Sequence, residues 1–360
     1  MSDLNDLVSS SIRPLPVESL MPAHLPSLIP KRGRTRAITL KLLTLLIATL
    51  EWATTPLRVL VRVLFGRTRR APMSMADEVN YIRPRVVRAV DGRDAPVLYT
   101  SNAELLAESV YTCVRCAAGH PPRLRVPQAL LQREFPDYYL APFHGQPNGY
   151  LSSGTAVMTD RMLEAQYGEA LRDMRREVAR ALGSRLRHGV LLDLGAGSGN
   201  QLRILRTEHK LARLFGIDLS PYMVASAYAH QLEDLDDHVE MLEGTITKLP
   251  FDDASVRGIT ACFVLHELPE AETRAALKEA CRVLEPGARL VILDRIPPRT
   301  LRQQMRLRVS TRVFYEPYLE AFLRLDLASY LQKHGLTEVE RRTLHPDVGL
   351  HVFEKPRPLN

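Results

Sequence analysis

Three glycines at alternate positions, Gly195, Gly197 and Gly199, follow the apolar run Val190-Leu-Leu-Asp-Leu194, and Asp218 closes a second run, Leu214-Phe-Gly-Ile-Asp218. The spacing reads as strand, glycine turn, helix and second strand, which is half of a nucleotide-binding α/β site. Glycine lets the backbone approach a ligand where a Cβ would clash. An acid at the end of the second strand is placed to accept hydrogen bonds from the two ribose hydroxyls of an adenosine. A dinucleotide fingerprint, G-x-G-x-x-G, would put its third glycine where Asn200 stands.

Four further blocks follow in order: Gly216-Ile-Asp-Leu-Ser-Pro-Tyr-Met223, Leu249-Pro-Phe-Asp-Asp253, Val264-Leu-His-Glu-Leu268 and Arg282-Val-Leu-Glu-Pro-Gly287. With the glycine turn they resemble the class I S-adenosylmethionine-dependent methyltransferases, small-molecule branch, which includes the ubiquinone/menaquinone methyltransferases. The resemblance covers about residues 160 to 355 and implies S-adenosyl-L-methionine as cofactor. It places Asp193 and the backbone of Gly195, Ala196 and Gly197, with Gly199 in the same turn, against the cofactor's ammonium and carboxylate. Asp218 then takes the ribose, Leu219 and Met223 flank the adenine, Thr245 and Ile246 meet its edge, and Phe263 lies at the end of the fourth strand beside the ligand. Three places depart from the family pattern: Thr245 replaces an acid that faces the adenine amino group, Val256-Arg257 replaces Phe-Asp, and Pro286-Gly287-Ala288 replaces Pro-Gly-Gly. A hydroxyl makes a weaker, neutral hydrogen bond than a carboxylate does.

Methyl transfer is an in-line displacement at a carbon activated by a sulfonium, so alignment supplies much of the acceleration and a base is optional. Phe263-Val-Leu-His-Glu267 lies where ligands bind in open parallel sheets, which makes His266 the candidate general base for an acidic nucleophile. The stretch from Phe135 to Ser152, rich in turn formers and aromatics, looks like a pre-motif found ahead of some bacterial methyltransferase domains. That resemblance makes His144 and Tyr150 candidate lid or substrate contacts. The histidines lack paired ligand spacing, so no metal is expected.

The charge is unevenly placed. Residues 1–75 hold 11 Lys/Arg and 4 Asp/Glu, which leaves 37 of each sign in the remainder of a chain with 48 Lys/Arg and 41 Asp/Glu. A catalytic region with no basic excess argues against nucleic acid as partner, and the resemblance implies a small, hydrophobic molecule as substrate and methyl acceptor. Four cysteines make no disulfide framework, and a cytoplasmic location is expected. Cys113-Val-Arg-Cys116 has metal-ligand spacing but no second C-x-x-C, and its surroundings read helical.

Residues 1–37 form a polar, proline-rich basic arm of which no fold is asked. From Ile38 to Phe65 the chain is strongly apolar, with Lys41, Thr44, Ala48, Glu51, Thr55, Arg58 and Arg62 forming one narrow helical stripe. The uncharged stretch Leu42 to Leu50 is too short to span a bilayer. Two readings stand: a helix on the membrane surface, bracketed by the basic clusters Lys31 to Arg36 and Arg67 to Arg70, or a helix packed on the domain or a second subunit. The domain plan is therefore 1–75, arm and amphipathic helix; 76–160, a helical and lid-forming pre-region; and 161–360, the methyltransferase domain.

The fold class expected is α/β, Rossmann-like, with a mainly parallel seven-stranded sheet and an antiparallel last strand. Helices are expected at Ala103 to Ala118, Pro127 to Glu134, Met162 to Leu182, 199–211, 221–232, 270–283 and 325–334. Strands are expected at 190–194, 213–218, 238–242, 258–264, 289–294, 337–342 and 348–354. The short link from Arg342 to Val348 favours an antiparallel hairpin, a mark of the methyltransferase version of the fold. An insertion from Asp294 to Leu325 carries Arg295, Arg299, Arg302, Arg306, Arg308 and Arg312, read as a solvated face near the substrate side. Two alternatives to methyl transfer remain: a methyltransferase-like protein that binds cofactor without chemistry, and a dinucleotide-dependent oxidoreductase, against which the glycine spacing and the final hairpin argue.

Overall fold

The computed structural model of the protein describes residues 102–358, apart from 123, 125–129, 131–132, 184–187, 231 and 233–236. The arm, the apolar helix expected at 38–65, and most of the helix expected at Pro127 to Glu134 lie outside the described residues. Among those described, no helix is long and apolar enough to cross a membrane.

Strands β1 (Val190–Leu194), β2 (Arg213–Asp218), β3 (Val239–Glu243), β4 (Val256–Cys262), β5 (Leu284–Arg295), β6 (Thr337–His345) and β7 (Val348–Glu354) form one sheet in the order β3-β2-β1-β4-β5-β7-β6. The first five run parallel, and β7 is antiparallel to both β5 and β6. Alternation along β1 sends Leu192 and Leu194 to one face of the sheet and Leu191 to the other. Both faces are covered, which explains the unbroken apolar run. One cover is α6 (Glu270–Val283) with α9 (Leu327–Lys333), through Leu277, Ala280 and Leu331. The other is α3 (Glu169–Ala181) with α4 (Asn200–Glu208), through Met174, Val178, Leu202 and Leu205. The strand order reverses between β1 and β4, so a crevice opens beyond their carboxyl ends.

The structure moves several boundaries. The single helix expected at Met162 to Leu182 is two, α2 (Ser153–Tyr167) and α3, because Gly168 adopts φ 58°, ψ −135° and breaks the helical path. Ser152 caps α2 by accepting the Thr155 N–H. The fourth strand ends at Cys262, not 264: Phe263 turns with φ 55° and donates its N–H to the Leu293 carbonyl at 2.8 Å. The fifth strand begins at Leu284, five residues before expectation, by pairing with Val256 across a register shift. The insertion forms α7 (Leu301–Arg312), opened by a Thr300/Gln303 capping box, and α8 (Leu319–Arg324). Two further helices are α1 (Asn102–Ala117), which carries Cys113 and Cys116 as buried free thiols, and α5 (Pro221–His230), which lies between β2 and β3 in the chain and against which α2 packs. Arg295 is the exception to the solvated arginine face. Its side chain is buried and paired with Asp347 at 3.5 Å.

Candidate active site

The turn after β1 is shaped by steric demand from two directions. A Cβ on Gly195 would lie 2.2 Å from Val264 Cγ2, so that glycine makes room for the loop after β4. A Cβ on Gly197, which sits at φ 54°, would meet nothing within 4 Å and would project into open space. Gly197 instead turns its N–H to Asp218 Oδ2 at 2.8 Å, while Ser220 N–H donates to Oδ1 at 2.9 Å. Burial pushes the Asp218 carboxyl up to about 6 against these backbone donors. Asp193, also buried, accepts from Thr260 Oγ1 at 2.6 Å; burial raises it to about 7 despite that hydrogen bond.

These groups line a crevice with about 1020 Å³ of empty space, part of it open to solvent. Leu219, Met223, Thr245 and Ile246 all line it, as do Asp193, Asp218, Gly195, Ala196 and Gly197. Thr245 Oγ1 is engaged with the Thr247 hydroxyl at 2.8 Å and accepts the Thr247 N–H. Gly199 is not in the wall: it adopts φ 80° at the start of α4 and shapes the turn from behind. Phe263 lines the crevice with its ring stacked on Tyr167, centroids 5.4 Å apart.

Part of the wall is aromatic. Tyr150 stacks between Phe143 and Tyr139, with centroids 5.5 and 5.8 Å away, and its carbonyl accepts the Ser220 hydroxyl at 2.6 Å. Below this wall lies a buried chain of charges. His266 places Nδ1 2.5 Å from Asp294 Oδ1 and Nε2 3.1 Å from Glu267 Oε1. His144 places Nε2 2.9 Å from the same Glu267 oxygen and Nδ1 3.3 Å from Glu316 Oε1. Burial alone would lower both imidazoles, but the carboxylates outweigh it: His144 is raised to about 10 and His266 well above its ordinary value. Burial would likewise raise Glu267, yet the two imidazoliums hold it well below the usual carboxylate range.

Neither His144 nor His266 lines the crevice; Glu267 does. An imidazole with a carboxylate at each nitrogen holds two protons and has no lone pair for a third. The geometry therefore corrects the general base expected at His266, which stands behind the wall and orients Glu267. Both Glu267 carboxylate oxygens are enclosed, with Oε1 alone facing the two imidazole nitrogens. Glu267 was visible in sequence as the neighbour of His266. The partners His144 and Glu316 come from the pre-region and the insertion, and nothing in the sequence pattern pairs them.

Comparison with known proteins follows the same lines. The family described as a methyltransferase domain matches residues 192–292. The chain is similar to the demethylmenaquinone methyltransferase of Clavibacter sepedonicus, 32% identical over 201 residues, which are 50% of this chain and 77% of that protein. The chain belongs to the class I S-adenosylmethionine-dependent methyltransferases. It is also similar to the demethylmenaquinone methyltransferase of Thermus thermophilus, 35% identical over 132 residues, 37% of this chain, and spans only 58% of that relative's length. Among solved structures, an O-methyltransferase family protein from Burkholderia thailandensis is 17% identical with a TM-score of 0.46, covering 61% of this chain and 64% of that one.

The residues present fit the cofactor of this methyltransferase family. Asp218 keeps lone pairs for ribose hydroxyls beyond its two backbone donors, Leu219 and Met223 offer flat apolar contact, and Gly197 leaves the cradle open. Polar atoms at the glycine-turn end lack protein partners, as a site for a zwitterion requires.

Proposed function

We propose that the protein transfers the methyl group of S-adenosyl-L-methionine to a small, largely apolar acceptor. The observation that carries this reading is that one crevice is lined by the Asp218/Gly197 turn, by the aromatic side chains Tyr139, Phe143 and Tyr150, and by Glu267. When bound, the cofactor supplies an electrophilic methyl on sulfur. The chain's own residues do the rest. Asp218 and the glycine turn fix the nucleoside. Phe143, Tyr139 and Tyr150 exclude water from the acceptor. Glu267, held ionised by His144 and His266, sets a fixed negative charge in the wall beside the acceptor.

A carboxylate held far below its ordinary pKa is a weak base, so alignment and charge outweigh proton abstraction. The demethylmenaquinone methyltransferases among the relatives make a reduced quinone the first acceptor to test. Calorimetry with S-adenosylmethionine, S-adenosylhomocysteine and NAD tests the cofactor, and mass spectrometry of a demethylated quinol incubated with the full chain tests the acceptor. Binding of the two adenosyl compounds and not NAD is expected. Binding of NAD alone would overturn the reading.

A further inference from the structure

The single turn Phe143–Gly145 is held by parts of the chain distant from it in sequence. Phe143, 1% exposed, meets Tyr315 and Tyr318 of the insertion as well as Tyr150, with ring centroids 6.5, 6.3 and 5.5 Å away. Gly145 lies so close to α1 that a Cβ on it would collide with Cys113 Sγ. His144 is the bridge in the middle: Nε2 faces Glu267, just after β4, and Nδ1 faces Glu316 in the insertion. Neither His144 nor Glu316 belongs to the span that the methyltransferase family matches, residues 192–292.

Both ends of the His144–Glu316 contact are strained. His144 adopts φ 55° and Tyr315, next to Glu316, adopts φ 53°, a left-handed backbone that side chains disfavour and that persists only where the surroundings over-determine it. The contact is also electrostatically costly. Glu316 is 6% exposed, and its Oε2 is enclosed without a hydrogen-bond partner. Taking two charges out of water offsets much of their attraction, so a buried pair adds little net stability over an apolar one. What it supplies is direction, since only one arrangement of the two backbones brings the charges together. Here that arrangement carries Phe143 into the crevice wall.

We propose that Glu316 is a positioning residue for the methyl acceptor: through His144 it fixes the turn Phe143–Gly145, and with it the aromatic part of the wall against which the acceptor lies. This rests on the reading of the crevice as a methyl-transfer site. Glu316 does not line the crevice itself, so its effect on the acceptor passes through the imidazole. The acceptor pocket is then a joint product of the pre-region, the insertion and the end of β4, and a change in the insertion alters acceptor fit without touching the cofactor turn.

Glu316→Gln keeps the shape of the side chain and removes its charge. In the full chain saturated with S-adenosylhomocysteine, the amides of Gly145, Gln146 and Leu151, each bonded within 142–151, should exchange hydrogen about tenfold faster or more, while those of β1 and β4 stay unchanged. Calorimetric affinity for S-adenosylhomocysteine should hold within about threefold, which also shows that the variant is folded. With a demethylated quinol as acceptor, KM should rise by about tenfold and kcat should fall by less, the split expected when acceptor placement is lost. His144→Gln should act alike, and the double substitution should be no worse than the worse single one. Exchange at 142–151 that stays at the unsubstituted rate, a rise shared equally by β1 and β4, a loss in kcat at unchanged KM, or additive effects of the two substitutions would overturn the proposal. Failure of the unsubstituted chain to bind S-adenosylhomocysteine would instead overturn the methyl-transfer reading beneath it.

Discussion

Asp218 ties the fold to the ligand through one titration, and that makes its pH dependence the sharpest test of the site. Its carboxyl rises from 3.8 to about 6 on burial. An acid whose folded value is raised contributes stability that is fully present below 3.8 and lost as pH rises through about 6. The interval corresponds to roughly 3 kcal/mol withdrawn from the ligand-free fold at neutral pH. Ligand binding runs the other way. The ribose hydroxyls donate to the ionised form, which already holds Gly197 N–H and Ser220 N–H. At pH 5, one unit below about 6, only about a tenth of the protein carries that charge, so S-adenosylhomocysteine affinity should be about tenfold lower than at pH 7, or about 1.4 kcal/mol.

In Asp218→Asn the bend near pH 6 should vanish. The amide has one oxygen for two backbone donors and two hydroxyls, so affinity at pH 7.5 should fall by about 1.5–3 kcal/mol. Isothermal titration from pH 5 to 8 measures both effects, and a second bend near 7, from Asp193, should persist in the variant. A flat wild-type profile, or an Asp218→Asn profile with the same bend and affinity, would refute the assignment of the ribose to this carboxylate.

The two turn glycines should fail differently. Gly195→Ala drives a methyl into Val264 and should lower thermal stability, whereas Gly197→Val fills open crevice and should abolish S-adenosylhomocysteine binding in a folded protein; the reverse pattern in melting and titration would misplace the turn. His266→Ala strands the Asp294 and Glu267 carboxylates and should cost about 3–5 kcal/mol in denaturant unfolding, while Glu267→Gln should keep cofactor affinity and lose turnover; an unaltered rate for Glu267→Gln would remove it from the acceptor site. The apolar segment 38–65, expected to be helical, with its flanking basic clusters leads to a last expectation: the full chain co-sediments with anionic vesicles, less so as salt rises, and a chain lacking residues 1–75 stays in solution with cofactor binding intact. Aggregation of the shortened chain without vesicle binding by the full one would make that helix part of a core or subunit interface.

What was legible in the sequence is what local pattern encodes. Buried parallel strands must be apolar throughout, so β1 and β2 announce themselves, and the glycines between β1 and α4 mark a turn with left-handed backbone. Asp218 follows because its place at a strand end is fixed by that pattern alone. The helix break at Gly168 was missed because an isolated glycine inside an amphipathic repeat is tolerated as often as it breaks, and only the packing of α2 on α5 and of α3 on the sheet decides the outcome.

The charged chain beneath the aromatic wall was missed for a different reason. His144, Glu267 and Glu316 are separated by 123 and 49 residues and meet only because the pre-region, the β4 end and the insertion converge on one spot. A buried imidazolium between carboxylates leaves no periodicity behind, and a histidine read alone looks like a base. Its surroundings make it the opposite, a proton already committed.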